Sequence, residues 1–496
     1  MAAMAALRVA VCSVLVGLVL LALTTQTQAR VEADRVETIP GYDGAPLKMY
    51  SGYLDIADGR KHVHYVFIET QQASTSETTP LVAWFNGGPG CSSLDGLLYE
   101  NGPFRVSVED PGKLTPFEFA WTKLGHMLYL EAPVGVGFSY SDDPDQDYYT
   151  DDDKTAADNL EAIQVFFSLY PELKSSPFFL AGESYAGVYV PTLAEAIMKA
   201  DKAGEYEGAK LIGMAVGNGC SGNEVGACAD GIQREQYVAP FLSQTALISP
   251  TVKADLVQSC GDFANQLPEP TDACSKALEK MHAEVGNVNL YNIYGECYNG
   301  SSVALKAPMG GVHAPFPREL PPLEVAEMAR KLGAWDGPVA CIDSRAATAY
   351  LTQAEVVKAL HVKEQPFIWG TCSNQLKNYT SNRENLPRDL YPALVEYLDR
   401  IIIYNGDWDS CVPWTDAFGW TKGLGFDMTS AWHPWTYTPK DGLGPQVAGY
   451  AINYKTPVKG NSFVVTTVKG GRHEVPETAP QQAFEMIRRL IDGDSF

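Results

Sequence analysis

The stretch 179–187, Phe-Leu-Ala-Gly-Glu-Ser-Tyr-Ala-Gly, most constrains what this chain can fold into. A strand-like apolar segment runs into a short turn at Ser184 and then into a helical pattern over 188–200. Gly182 and Gly187 flank the serine at positions where a side chain would collide with the neighbouring strand and helix. The pattern predicts a nucleophile elbow, although an ordinary strand–loop–helix junction is the alternative because Gly-x-Ser-x-Gly also occurs by chance.

Short apolar segments of strand length recur along the chain and alternate with helical patterns. Continuous apolar strands are typical of a sheet that is buried on both faces. Helical stripes occupy 156–170, after a run of aspartates suited to a helix N-terminus, and 484–491, before Gly493. This alternation predicts an α/β fold that ends on a helix packed against the sheet. The predicted strands are 81–85, 127–130, 178–181, 211–216, 401–404 and 463–467.

The segment 219–380 interrupts this alternation, because it contains seven cysteines and no pattern of a buried strand. We expect a disulfide-stapled, largely helical cap insertion there, with the two parts of the core at 30–218 and 381–496. Within the insertion, a Pro- and Gly-rich run at 307–322 predicts an exposed, protease-sensitive loop.

The first 29 residues are typical of a secretory signal peptide. Arg8 precedes an apolar run at 9–23, and a small-x-small cleavage pattern ends at Ala29. The run is shorter than the ~20 residues of a membrane span, so no stable membrane insertion is expected.

The net charge of −23 argues against nucleic acid or an anionic membrane as a partner. We expect a protein of the secretory pathway, located in a lysosome or vacuole or outside the cell.

Nine cysteines remain once Cys12 leaves with the signal peptide, which predicts four disulfides and one free thiol in an oxidising compartment. No Cys-x-x-Cys pair suggests zinc, and the aspartate-rich stretch 142–153 lacks the glycine and glutamate of a calcium loop. No metal or cofactor is therefore expected. Asn299 and Asn378 lie in glycosylation sequons.

A serine nucleophile needs a base within hydrogen-bond reach and a carboxylate that fixes the tautomer of that base. In α/β-hydrolases these residues follow in the order serine, acid, histidine. Asp409 lies on the loop after the strand pattern 401–404, whereas the neighbouring Asp407 better fits a plain turn residue. His473 lies between the strand pattern 463–467 and the last helix, where the base is expected. The predicted triad is Ser184, Asp409 and His473.

Further motifs carry a family resemblance. They are Trp-Phe-Asn-Gly-Gly-Pro-Gly-Cys-Ser-Ser at 84–93, Asn-Gly-Pro at 101–103, Glu-Ala-Pro-Val-Gly-Val-Gly-Phe-Ser-Tyr at 131–140 and Gly-Arg-His-Glu-Val-Pro at 471–476. With the elbow, the chain resembles the serine carboxypeptidases, the family of cathepsin A, carboxypeptidase Y and the plant vacuolar carboxypeptidases. The likeness covers nearly the whole mature chain. It implies an α/β-hydrolase fold with a mostly parallel central sheet.

The resemblance implies an enzyme that hydrolyses the C-terminal peptide bond of peptides and proteins through an acyl-enzyme on Ser184. The backbone N–H groups of Gly88 and Tyr185 would form the oxyanion hole. A glutamate that faces the substrate's carboxylate must be protonated, and two carboxyl groups that share a site cannot both ionise cheaply, so activity at acidic pH is expected. The residues implied to bind the C-terminal carboxylate are Trp84, Asn86, Gly87, Glu100 and Glu183.

The resemblance also implies a Cys91–Cys372 disulfide and bridges among the six other cysteines of the insertion, whose pairing stays open. Cys411 is then the expected free thiol, and it receives no catalytic role. Family members of the cathepsin A type carry a cysteine three residues after the catalytic aspartate, where this chain has Val412. Some relatives are cut into two chains near the position of Met309. Whether the chain is cut there, and whether it forms a homodimer, both stay open.

Two other functions remain alternatives. Some plant relatives are acyltransferases that use sugar esters, and the same triad would serve them. In those enzymes an aspartate commonly replaces the glutamate before the serine, so Glu183 together with Asn86 favours a peptidase. A non-catalytic binding protein on the same fold is disfavoured because all three triad residues are present.

Overall fold

The structure is a computed structural model that describes residues 31–73, 79–107, 109–229, 231–261, 263, 270–297, 341–363 and 369–496. The predicted signal peptide (1–29), the sequon at Asn299 and the Pro-rich run at 307–322 lie outside the described residues. No helix within these described ranges is long and apolar enough to cross a membrane.

One large sheet forms the centre of the protein. Its strand order is β1–β2–β6–β3–β9–β10–β12–β15–β14–β13, and β7 also pairs with β2. The pairings from β6 to β15 along this order are parallel, whereas those at both edges are antiparallel. The strands are β1 (Met49–Ile56), β2 (Lys61–Ile68), β3 (Leu81–Phe85), β4 (Phe104–Val106), β5 (Leu114–Pro116), β6 (His126–Leu130), β7 (Tyr140–Ser141), β8 (Tyr149–Asp151), β9 (Phe178–Glu183), β10 (Leu211–Gly217), β11 (Asn378–Thr380), β12 (Arg400–Gly406), β13 (Met428–Tyr437), β14 (Gln446–Tyr454) and β15 (Ser462–Val468).

Helices cover both faces of the sheet. The helices are α1 (Pro144–Asp147), α2 (Asp152–Leu169), α3 (Ala186–Ala203), α4 (Glu235–Gln244), α5 (Pro250–Cys260), α6 (Asp272–Val285), α7 (Arg345–Leu351), α8 (Ala354–Ala359), α9 (Leu386–Asp389), α10 (Tyr391–Tyr397), α11 (Trp414–Gly423), α12 (Val475–Thr478) and α13 (Pro480–Asp492). Apolar residues of α2, α3 and α11 belong to one hydrophobic cluster, and those of α13 belong to a second. The two clusters bury both faces of the parallel strands, which explains the continuous apolar runs in the sequence.

The α/β prediction is confirmed, and all six predicted strands are present. The helices expected at 156–170 and 484–491 are α2 and α13. The sequence missed the β1–β2 hairpin and the β13–β14 pair at the edges. It also missed the short β11 within the insertion, which pairs with β8.

The described part of the insertion contains helices α4 to α8 and three disulfides of its own. These disulfides are Cys220–Cys228, Cys260–Cys274 and Cys297–Cys341. A fourth, Cys91–Cys372, links the loop after β3 to the end of the insertion, and Cys411 is a buried free thiol. The boundaries of the core and the cap stay a prediction.

Glu131, directly after β6, joins several distant segments through one buried carboxylate. Its Oε2 accepts hydrogen bonds from His64 Nδ1 and the Phe138 amide, both at 2.8 Å. Its Oε1 accepts from Trp369 Nε1 at 2.9 Å and from the Ser92 hydroxyl. The Glu131 and His64 side chains are both fully buried. A carboxylate satisfied on both oxygens stabilises a network, but the loss of its charge leaves buried donors without a matched acceptor.

We predict that Glu131→Gln lowers the free energy of unfolding by about 3–5 kcal/mol, because glutamine offers one acceptor oxygen and turns an NH₂ group toward donors. Denaturant unfolding measures the change. The exposed Glu172→Gln is the matched control, with an expected change below about 0.5 kcal/mol. Equal losses in the two variants would contradict the prediction.

Candidate active site

Ser184 occupies a strained turn between β9 and α3. Its φ of 61° lies in the left-handed region, which non-glycine residues seldom adopt. The Ser184 amide donates to the Gly217 carbonyl at 2.9 Å, and its carbonyl accepts from the amides of Gly187 at 2.9 Å and Cys220 at 3.0 Å. These hydrogen bonds hold the turn, and the serine side chain remains partly exposed. The predicted strand-to-helix turn is thus present around Ser184.

Two glycines make this turn possible. A Cβ atom on Gly182 would lie 2.5 Å from the Phe85 carbonyl oxygen, and one on Gly187 would lie 2.4 Å from the Cys220 carbonyl oxygen. Both distances are far below a van der Waals contact. A side chain would therefore collide at both positions, as the sequence suggested, but at Gly187 it would collide with the loop after β10.

Asp409 and His473 meet at the carboxyl ends of β12 and β15. His473 Nδ1 lies 2.7 Å from Asp409 Oδ2, and the two residues are almost completely buried. Asp409 also accepts hydrogen bonds from Asn218 Nδ2 at 2.9 Å, the Cys411 amide at 2.9 Å and the Val412 amide at 3.1 Å. Because an ionised carboxylate only accepts, the Nδ1 proton of His473 points at Asp409 and Nε2 is left as the basic nitrogen.

Ser184 follows β9, which lies in the same parallel set as β12 and β15. The carboxyl ends of parallel strands meet at one edge of a sheet, so all three predicted triad residues lie on that edge. Within the described residues, no hydrogen bond reaches the Ser184 hydroxyl. In enzymes without bound substrate, the hydrogen bond between a catalytic serine and its base is often long.

Asn218 supports Asp409 and was missed in the sequence. It follows β10, is fully buried, and has a φ of 40°. Besides its bond to Asp409, its Nδ2 donates to the Val412 carbonyl at 3.1 Å and its Oδ1 accepts from the Gly406 amide at 2.9 Å. The only signal in the sequence is a Gly-Asn-Gly turn directly after a strand pattern.

Residues 289–293 of the insertion, which we call the cap strap, contact both the acid loop and the histidine. The Leu290 carbonyl accepts from the Ser410 amide at 2.8 Å, and the Tyr291 carbonyl accepts from the His473 amide at 3.0 Å. The Tyr291 and His473 rings lie 4.7 Å apart. The cap strap therefore fixes the positions of the loops that carry Asp409 and His473.

The resemblance implies that the amides of Gly88 and Tyr185 form the oxyanion hole. These two residues lie on loops that approach each other closely. Within the described ranges, neither the Gly88 amide nor the Tyr185 amide donates a hydrogen bond to another residue. A Cβ on Gly87 would lie only 2.3 Å from the Tyr185 nitrogen, and Gly88 has a φ of 112°. Glycine at 87 therefore keeps the Tyr185 amide accessible, and glycine at 88 permits the backbone conformation.

Asp152, at the start of α2, holds the side chain of the elbow tyrosine. Its Oδ1 accepts from the Tyr185 and Tyr379 hydroxyls, both at 2.8 Å. Its Oδ2 accepts from the amides of Asn382 at 2.8 Å and Arg383 at 2.9 Å. Burial raises the pKa of Asp152, and these hydrogen bonds oppose the rise. In the sequence this residue is indistinguishable from an ordinary helix-start aspartate.

A buried cluster of carboxyl and amide groups lies next to the elbow. Asn86 Oδ1 accepts from Trp84 Nε1 at 2.8 Å and from the Gly96 amide at 3.0 Å. Asn86 Nδ2 donates to Glu100 Oε1 at 2.9 Å and to Glu183 Oε1 at 3.1 Å. The side chains predicted from the resemblance to bind a carboxylate are thus brought together, and they are almost completely buried.

Glu100 and Glu183 both have raised pKa values. Burial raises the pKa of Glu100 to about 7, against the hydrogen bond from Asn86 that lowers it. Burial, and then the charge of Glu100, raise the pKa of Glu183 well above its usual value. The Oε2 atoms of both residues are enclosed and have no partner among the described residues. In acid the pair therefore carries protons that it can donate to a bound anion.

A known peptidase family matches nearly the whole chain. The family described as serine carboxypeptidase matches residues 40–493, so the chain belongs to the serine carboxypeptidase family. It is 35% identical to serine carboxypeptidase 1 of Hordeum vulgare and 34% identical to serine carboxypeptidase-like 20 of Arabidopsis thaliana, with 94% of both chains covered in each comparison. It is 33% identical to the lysosomal protective protein of Mus musculus, over 98% of this chain and 99% of the relative.

The fold is the α/β-hydrolase fold. A prohormone-processing carboxypeptidase from Saccharomyces cerevisiae superposes with a TM-score of 0.68 at 21% identity, covering 94% of this chain and 97% of that one. The predicted family and fold are confirmed. The disulfides and the lysosomal relative indicate a protein of the secretory pathway.

We predict that the buried carboxyl pair makes the protein less stable as pH rises. Folded Glu100 keeps its proton up to about pH 7, whereas the unfolded chain releases it near 4.5. The folded state therefore binds more protons across this window, and the free energy of unfolding falls as pH rises. Glu100→Gln should reduce that fall by about 2–3 kcal/mol.

Denaturant unfolding at both ends of this pH window measures the effect. The exposed Glu279→Gln is the control and should keep the wild-type dependence. An unchanged pH dependence in Glu100→Gln would show that the pair does not hold the proton.

Proposed function

We propose that this protein is a serine carboxypeptidase that removes the C-terminal residue of peptides and proteins at acidic pH. The buried cluster of Asn86, Glu100 and Glu183 beside the elbow carries the proposal. A hydrolase that acts on internal bonds has no use for proton-bearing carboxyl groups next to its nucleophile. A free C-terminal carboxylate is an anion that such groups can bind.

The proposed mechanism uses the triad at the sheet edge. His473 Nε2 takes the proton of the Ser184 hydroxyl as its oxygen attacks the terminal peptide carbonyl, while Asp409 stabilises the imidazolium through Nδ1. The amides of Gly88 and Tyr185 donate to the oxyanion. His473 then passes the proton to the leaving amino group. Water, activated by the same histidine, hydrolyses the acyl-enzyme.

The carboxyl pair accounts for the expected dependence on pH. In acid, Glu100 and Glu183 donate hydrogen bonds to the substrate's carboxylate, together with Asn86. As pH rises past about 7, the pair loses protons and its negative charge repels the substrate. This dependence favours an acidic compartment such as a lysosome or vacuole over the extracellular space.

Acyl transfer from activated esters is the alternative, since the same Ser184, Asp409 and His473 would support it. The glutamate at 183 and its hydrogen bond to Asn86 favour the peptidase. An acyltransferase whose acyl donor has no free carboxylate gains nothing from this pair.

Glycosylation at Asn299 and Asn378, the signal peptide and a homodimer stay predictions.

We predict that the purified protein releases a free amino acid from N-blocked dipeptides in acid and transfers no acyl group from a glucose ester to an alcohol. Ser184→Ala should lower kcat by at least about 10⁴-fold, because the nucleophile is lost. Chromatography of the products separates the two reactions. The exposed Ser168→Ala serves as the control and should keep full activity. Acyl transfer without amino-acid release would identify the alternative function.

We predict that KM for peptides with a free C-terminus rises above about pH 7, and that Glu100→Gln reduces this rise, because the pKa of Glu100 is the one that lies near 7. Glutamine stays neutral and keeps a donor at every pH, which removes the charge that repels the substrate. Steady-state kinetics at about pH 5 and about pH 8 measure the ratio of the two KM values. The same KM ratio in wild type and variant would exclude the pair as the carboxylate-binding group.

A further inference from the structure

Asp407, directly after β12, contacts the loop 469–473, which we call the histidine loop because it ends at His473. Its Oδ1 accepts a hydrogen bond from the Gly470 amide at 2.7 Å. Its own amide donates to the Val468 carbonyl at 3.2 Å. The sequence indicated a plain turn residue at this position, because these partners lie far along the chain. The side chain of Asp407 instead joins the loop that carries Asp409 to the histidine loop.

The two loops approach each other at backbone distance. A Cβ atom on Gly406 would lie only 2.1 Å from the Arg472 carbonyl oxygen. The Trp408 amide donates to the Gly471 carbonyl at 2.9 Å. Gly470 has a φ of 76°, which glycine adopts without strain. The hydrogen bond from Gly470 to Asp407 therefore lies within a close contact between the two loops.

The four consecutive amides of residues 470–473 each donate a hydrogen bond. Their acceptors are, in chain order, Asp407 Oδ1, the Val468 carbonyl, Thr478 Oγ1 and the Tyr291 carbonyl. Carbonyl and hydroxyl oxygens stay neutral, whereas a carboxyl group is either neutral or charged. A hydrogen bond to a charged acceptor is roughly twice as strong as one to a neutral acceptor. Asp407 is thus the one acceptor of this segment whose strength changes with pH.

Solvent reaches Asp407 through a pocket of about 510 Å³ that the residue lines. The histidine loop, the β13–β14 hairpin and the start of α13 form the other walls, and α13 contributes only neutral glutamines. Among the described residues, the other charged side chains that line the pocket are Lys440, Asp441 and Lys469. Lys440 forms an ion pair with Glu118. The partly buried carboxyl group can therefore exchange its proton with the surrounding solution.

The charge of Asp407 changes within the range of pH found along the secretory pathway. Burial raises the pKa of Asp407 to about 6, against the hydrogen bonds from the amides of Gly470 and Asp407 itself and the charge of Lys469. Below this pH the carboxyl group is a neutral acceptor, and above it the group is a charged one. The hydrogen bond to the histidine loop therefore strengthens as pH rises.

We propose that Asp407 is a positioning residue that holds the histidine loop, and with it His473, in the place that catalysis requires. It acts through the Gly470 amide and not on the substrate. The proposal goes beyond the proposed function, because any reaction that uses Ser184, Asp409 and His473 depends on the position of this loop.

The test compares the wild type with Asp407→Asn between about pH 4.5 and about pH 7. Asparagine keeps an acceptor oxygen in a side chain of the same shape but stays neutral, as the protonated aspartate does. For an N-blocked dipeptide we expect equal kcat values in acid, a wild-type kcat at least about threefold higher at about pH 7, and equal KM values. Ionisation of His473 affects both proteins and cancels in the ratio.

Exposed Asp441→Asn removes a charge from the same pocket, so it is the matched control and should keep the wild-type kcat at every pH. Asp407→Ala removes the acceptor altogether and should lower kcat about tenfold across the range. The rate at which an organophosphonate labels Ser184 should give the same ratios without a peptide substrate.

A ratio of wild-type to Asp407→Asn kcat that stays constant across the range would overturn the proposal, because a merely structural role does not follow the charge of the carboxyl group. A change confined to KM would also overturn it. If the wild type is labelled but cleaves no peptide, the carboxypeptidase function fails, and the labelling ratios decide the role of Asp407. Neither labelling nor cleavage by the wild type would overturn both.

Discussion

The left-handed turn at Ser184 is the constraint on which the rest of the site depends. The turn closes only because Gly182 and Gly187 let a strand and a loop approach within distances that no Cβ permits. Gly87 brings the loop after β3 equally close to the Tyr185 nitrogen. That approach also carries Asn86 to the side chain of Glu183. One strained turn thus determines where Ser184, the amides of Gly88 and Tyr185 and the carboxyl cluster lie.

Around this turn the protein buries more carboxyl groups than a stable core requires. Glu100 and Glu183 adjoin Asp95 and Glu474, and burial raises the pKa of each. The buried Glu131 carboxylate, in contrast, is satisfied by four donors. The contrast separates acids that stabilise the scaffold from acids whose oxygens remain available for a ligand. Burying these acids lowers the stability of the fold, and the hydrogen-bonded networks of the scaffold offset that loss.

The sequence predicted the features that depend on residues close together in the chain. The parallel strands are continuous apolar runs, and the clashes at Gly182 and Gly187 arise within one turn. The edge strand β13 was missed because most of its residues are exposed and show no apolar alternation. Asn218 and Asp152 were missed because their partners lie far away in the chain. The carboxyl cluster was found through the family resemblance, since nothing in residues 84–100 alone points to Glu183.

The cap strap has a consequence for how the enzyme is made. A chain folds as it leaves the ribosome, N-terminal part first. Ser184, Gly88 and Tyr185 belong to the first part of the core, whereas the strap and the loops with Asp409 and His473 are synthesised later. The proposed protease therefore lacks its base during most of its own translation. The triad is complete only after the strap has docked onto the loops that carry Asp409 and His473.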